Sequence, residues 1–175
     1  MRIITIGSGK GGVGRSTLTA NLGAILADMG KSTMIIDASL TSPNLSLFFG
    51  LEKVAHTLND VLDGDAKLKE VLYDGPNGVK IAPAGLTIEK IREAKPARLP
   101  KVVKEQADGF DFVLIDAPNG LRQETVSALS AGDELLVLTI PELTAISDAM
   151  KTKVAGEFLD LNPLGLILNQ VTGGD

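Results

Sequence analysis

The sequence predicts an open, mostly parallel α/β sheet with helices on both faces, a three-layer α/β/α arrangement in a single domain over residues 1–175. Three observations predict it. Short, near-continuously apolar runs alternate with segments of helical periodicity, the pattern of buried parallel strands joined by crossover helices. The hydrophobic fraction is 44% with only 3% aromatic, so the core is aliphatic, which suits a sheet covered by helices. A chain of 175 residues fits one compact domain, and at that size folding buries roughly 70% of the surface of the unfolded chain.

The elements follow in order. Residues 2–6 (RIITI) read as a first buried strand, followed by a helical pattern near 15–29. Residues 33–36 (TMII) are the next strand, and a helical pattern lies near 57–72. A strand at 79–82 (VKIA) precedes helical patterns near 87–94 and 97–108. Strands at 112–115 (FVLI), 134–140 (ELLVLTI) and 164–168 (LGLIL) alternate with helices near 122–131 and 143–160. Strand–helix–strand repetition implies right-handed crossovers and an open sheet. In such sheets ligands sit at the carboxyl ends of the strands. The loops to read for chemistry are therefore 7–14, 37–50, 116–121 and 141–144. The sequence stops at 171–175, just after a strand, and the pattern leads one to expect a further C-terminal segment of one or two helices.

Composition excludes several classes. The net charge is −5, from 17 basic and 22 acidic residues, with no basic stripe of the kind a large nucleic-acid footprint needs. There are no cysteines, which removes disulfides, thiol catalysis and cysteine-held clusters and fits a cytoplasmic setting. No stretch of 18 apolar residues exists to span a membrane. The N-terminal apolar run is too short for a signal peptide and leads straight into a glycine loop.

That loop, residues 7–17, reads G-S-G-K-G-G-V-G-R-S-T between a strand and a helix. Two fingerprints overlap on it. Gly7, Gly9 and Gly12 with Asp37 at a later strand end fit a dinucleotide site. Gly9, Gly14, Arg15 and Ser16 fit the phosphate-loop pattern, with Arg15 where Lys is expected. The second is favoured. Glycines let several backbone N–H groups aim inward, and the helix N-terminus beyond adds its positive end. Ser16 supplies a hydroxyl for a magnesium ion, and a dinucleotide site has no use for Lys10, Arg15 and Ser16 together. The predicted nucleotide-binding set is Gly9, Lys10, Gly11, Gly12, Val13, Gly14, Arg15, Ser16 and Thr17, with ATP or ADP and Mg2+ as the ligands.

K-G-G-V-G-R-S-T resembles the deviant phosphate loop of the MinD/ParA-type P-loop ATPases, and the likeness runs over essentially the whole chain. D-A-S-L-T-S-P-N-L, residues 37–45, is similar to the family's first switch loop, with Asp37, Asn44, Leu45 and Gly50 in matching places. D-F-V-L-I-D-A-P-N-G, residues 111–120, is similar to its Walker B strand and second switch, with Asp116, Pro118 and Gly120 matching. Pro141, Glu142, Ala145 and Asp148 match a later stretch, and Asn169 matches the asparagine that hydrogen-bonds adenine. The resemblance implies that Ser16, Asp37 and Asp116 serve magnesium. It implies that Lys10 reaches across an ATP-dependent homodimer to the partner's phosphates. It also implies a regulatory protein partner, a role in placing the division site or another structure, and membrane attachment only through a C-terminal tail beyond this sequence.

Two positions depart from the family. Arg15 replaces the loop Lys, and Ser39 replaces the second switch acid that positions the attacking water. Losing such a group costs on the order of 10²–10⁴ in rate. The catalytic candidates are thus Lys10, Arg15 and Ser39, and two functions stand side by side: a slow ATPase switch, or a nucleotide-binding scaffold with negligible hydrolysis that regulates a partner. A ParA-like DNA-partitioning role is weakened by the acidic charge, and a dinucleotide-dependent enzyme is the remaining alternative.

Overall fold

The computed structural model describes residues 1–51 and 53–173. The C-terminal segment expected beyond the last strand lies outside the described residues. Seven strands form one sheet: β1 (Arg2–Gly7), β2 (Thr33–Asp37), β3 (Tyr73–Asp74), β4 (Lys80–Ala82), β5 (Phe112–Asp116), β6 (Glu134–Thr139) and β7 (Asn162–Leu168). Their spatial order is β3-β4-β2-β5-β1-β6-β7. Every pairing is parallel except that of β3 with β4. The helices are α1 (Arg15–Asp28), α2 (Leu45–Phe48), α3 (Leu58–Asp63), α4 (Ile88–Arg92), α5 (Leu99–Gln106), α6 (Gln123–Ser130) and α7 (Leu143–Phe158).

Successive strand side chains point to opposite faces, and this splits the aliphatic core in two. Ile3, Met34, Ile36, Val113 and Ile115 pack with Val61 and Leu62 of α3, Leu99 and Val102 of α5 and Ala128 of α6. Ile4, Ile35, Ile81 and Leu114 pack the other way, against Ala20, Leu22 and Leu26 of α1 and Leu45 of α2. Leu135, Val137 and Leu129 receive Ala149 of α7. The side of α7 that meets the sheet carries only Ala145, Ala149, Thr152 and Gly156, so the helix approaches closely. The three-layer arrangement expected from the sequence is the one observed.

Some boundaries differ for local reasons. The helical pattern near 57–72 is two pieces. α3 opens on a Thr57–Asp60 capping box and is stopped by Gly64, whose φ of 94° is left-handed; residues Leu68–Val71 then form a 3₁₀ turn. The last strand begins earlier than its apolar run, at Asn162, and carries a register shift opposite Leu135 and Leu136. β3 and α2 are too short to leave a periodic signal.

The sheet order brings three strand ends together. β5 lies between β2 and β1, and in register Asp37 and Ile6 both sit level with Asp116. The loops that follow these strands therefore meet at one edge, where α1 also begins.

Candidate nucleotide site

The glycine loop is shaped by two left-handed residues, Gly12 (φ 79°) and Gly14 (φ 93°). Gly14 is the N-cap of α1 and offers no side chain to it. The first amides of that helix, which normally need a capping oxygen, thus open toward the loop. A side chain at Gly14 would be strained by its φ and would meet the Asn169 amide at 2.6 Å. Gly9 is required by a different contact: a Cβ there would enter the backbone of Asp148 on α7. The loop is thus clamped between α1 and α7. Together with Ser39, Ser42, Asn44, Phe48 and Asn119, residues 10–17 and Ser8 line a cavity of about 330 Å³. That volume is at the small end for a ligand cleft.

Behind the loop, at the end of β5, Asp116 is 1% exposed and both its oxygens are engaged. Oδ2 accepts from Ser16 Oγ at 2.6 Å, and Oδ1 accepts from Arg15 Nε at 2.8 Å and Thr19 Oγ1 at 3.3 Å. The Arg15 side chain is 12% exposed and its Nη1 donates to Ser8 Oγ at 3.1 Å. Asp37 is fully buried and accepts from the backbone N–H groups of Ser39 (3.0 Å) and Leu45 (3.2 Å). Burial first, and then the negative charge of Asp116, push the Asp37 carboxyl up to about 8. The two amides and the Arg15 charge pull the other way.

The predicted residues are brought together unevenly. Ser16 hydrogen-bonds Asp116, and Asp37 lies level with Asp116 on the neighbouring strand. Lys10 lines the cavity, but its ammonium pairs with Glu142 at the start of α7. Arg15 lines it too, with its guanidinium turned onto Asp116 and Ser8. Ser39 Oγ donates to the Ser42 carbonyl at 3.2 Å. Asn169 Nδ2 donates to the Val13 carbonyl at 2.8 Å and braces the loop from behind, outside the cavity lining. Gln170 Nε2 braces Gly12 in the same way at 3.0 Å. The sequence reading missed Thr19, Ser8 and Asn119. Thr19 lies one helical turn after Ser16 and Arg15, a spacing that would have put it on their face.

The donors suit a hard divalent cation: the carboxylates of Asp37 and Asp116, level with each other on neighbouring strands, and the Ser16 hydroxyl at the start of α1, all oxygen. Among the described residues no group of three or more His, Cys, Asp or Glu is arranged to hold a metal. A cation here would take its remaining ligands from phosphate oxygens and water.

Residues 1–152 match a family described as an AAA domain. The structure superposes on the Pyrococcus furiosus cell division ATPase MinD with a TM-score of 0.92 at 40% identity, covering 95% of this chain and 71% of that one. The chain belongs to the MinD/ParA-type P-loop ATPases. A Pyrococcus horikoshii septum site-determining protein MinD complexed with Mg-ADP gives a TM-score of 0.91 at 43% identity, over 95% of this chain and 69% of that one. An uncharacterized ATP-binding protein of Methanocaldococcus jannaschii is 44% identical over 169 residues, which is 97% of this chain and 64% of the relative. This MinD/ParA-type chain thus spans about 64% of the length of the first curated relatives it matches.

Proposed function

We propose that the chain binds ATP and ADP at the glycine loop together with Mg2+, and that nucleotide switches it between a monomer and a homodimer. The observation that carries this reading is the left-handed Gly12–Gly14 turn, which opens the uncapped N-terminus of α1 beside Ser16 and Asp116. The helix dipole and the inward amides would hold the phosphates. Ser16, Asp37 and Asp116 would hold the cation, which when bound neutralises charge on the phosphates. Lys10, half exposed at the cavity mouth, would reach a second subunit after leaving Glu142. Asn169 would turn its side-chain carbonyl oxygen toward the adenine amino group while its amide stays on Val13.

The Pyrococcus relative whose name links it to cell division supports a role in placing the division site or another cellular structure, acting through a regulatory protein partner. Among the described residues no helix is long and apolar enough to cross a membrane. Any membrane contact would be peripheral, with the protein otherwise in the cytoplasm.

Hydrolysis would be slow. A second reading, a nucleotide-binding scaffold without turnover, is favoured by two contacts: Arg15 is committed to Asp116, and the Ser39 hydroxyl to Ser42. Phosphate release measured with and without magnesium separates the two. A magnesium-dependent rate above background supports the switch; a background rate with ATP still bound supports the scaffold. Light scattering with ATP, compared between the wild type and Lys10→Ala, tests the dimer: equal dimerisation by the variant contradicts the role given to Lys10.

A further inference from the structure

Arg15 occupies a place where charge balance matters most. Its guanidinium sits in the loop cavity and holds Asp116 Oδ1 through Nε at 2.8 Å, while Nη1 holds Ser8 Oγ at 3.1 Å. Ser16 Oγ closes the other carboxylate oxygen at 2.6 Å. One residue of the loop thus brings a fixed positive charge onto the carboxylate that a divalent cation would use. The two Arg15 contacts use two of the five N–H donors that a guanidinium carries in a rigid plane, on a residue that lines the cavity. A lysine at this position would behave otherwise. Its ammonium is a compact point charge on a flexible stem, with three rotatable donors on one nitrogen in place of a rigid fork.

From this we infer that Arg15 is a built-in counter-ion that substitutes for much of the divalent cation's role, so that this chain binds nucleotide with weak dependence on magnesium. The inference rests on the nucleotide-binding reading above. In that arrangement the guanidinium bridges Asp116 and a phosphate oxygen, and cation binding competes with Arg15 for Asp116. Arg15 is here a positioning and specificity-determining residue: it sets which positive charge the phosphates meet. A purely structural ion pair would leave the magnesium dependence of binding untouched.

The test is calorimetry of the wild-type chain with AMP-PNP, a triphosphate analogue that is not hydrolysed, in excess magnesium chloride and again in EDTA. The dissociation constants are expected to differ by less than about tenfold, equivalent to 1.4 kcal/mol. A wild-type ratio of about tenfold or more leaves the nucleotide site standing and overturns the inference. Failure to bind in either buffer overturns both. Arg15→Lys keeps the charge and assigns the effect: its ratio is expected to exceed that of the wild type at least about threefold, and an unchanged ratio removes Arg15 as the cause. The wild-type comparison stands by itself should that variant fold poorly.

Discussion

Lys10 and Arg15 belong to the same loop, and each is paired with a carboxylate, yet the two pairs live in different electrostatic worlds. Lys10 meets Glu142 where the side chains are 41% and 52% exposed. Such a pair contributes roughly 0.2–1 kcal/mol and is screened by salt. Arg15 meets Asp116 where the exposures are 12% and 1%. Removing one partner there leaves an uncompensated buried charge, at about 3–5 kcal/mol. Lys10 is therefore free to change partners, and Arg15 is not. The role proposed for Lys10 at a second subunit needs a pair that separates easily, and the one proposed for Arg15 needs a pair that persists. The loop holds both kinds.

The largest effect expected from this contrast is on stability. Arg15→Ala should lower the melting temperature by about 6–12 °C, from about 3 kcal/mol lost at a buried pair in a chain of this size. A loss below about 2 °C, read by circular dichroism, would mean the pair is not the buried contact described. Next comes Gly14→Ala. The left-handed backbone costs a side chain about 1–2 kcal/mol, and the Asn169 brace on the loop must move as well. Melting should fall by about 2–8 °C, and nucleotide affinity should fall with it.

Asp37 sharpens the comparison from the acidic side, because Arg15 only partly offsets its burial beside Asp116. Its folded value lies above the ordinary one of 3.8, so the proton is held more tightly in the folded chain. The stability this contributes is complete below the ordinary value and is lost as pH rises through about 8. The nucleotide-free chain should thus lose stability across that window, and Asp37→Asn should flatten the loss. At alkaline pH the variant should melt about 3 °C or more above the wild type. Equal pH profiles for the two would remove the proposed burden on Asp37. The smallest effect is that of Lys10→Ala, which should shift stability by no more than about 1 kcal/mol in urea unfolding.

The amino-acid order carried the architecture well. Runs such as 112–115 and 134–140 are apolar on both faces because helices cover both, and that leaves an unambiguous mark. The glycines of the loop were equally legible, since only left-handed turns and close approaches require so many. What escaped was set by geometry between distant segments. Nothing in the order of residues says that Arg15 turns onto Asp116 while Lys10 turns onto Glu142. Thr19 was overlooked because its role appears only when α1 is laid beside the end of β5. β3 was invisible because two residues have no period. The break in the segment 57–72 was written in Gly64, but an apolar pattern continuing through Leu68 and Val71 masked it.

The central claim is that the backbone amides from Gly11 to Thr17 close around a polyphosphate. Amide nitrogen–proton spectra of the chain, titrated with ATP and magnesium, test it residue by residue. The resonances of Gly12, Gly14, Ser16 and Thr17 should shift most and saturate together, with strands β3 and β4 unmoved. ATP that leaves these amides in place, or that perturbs only a distant surface, would contradict the account.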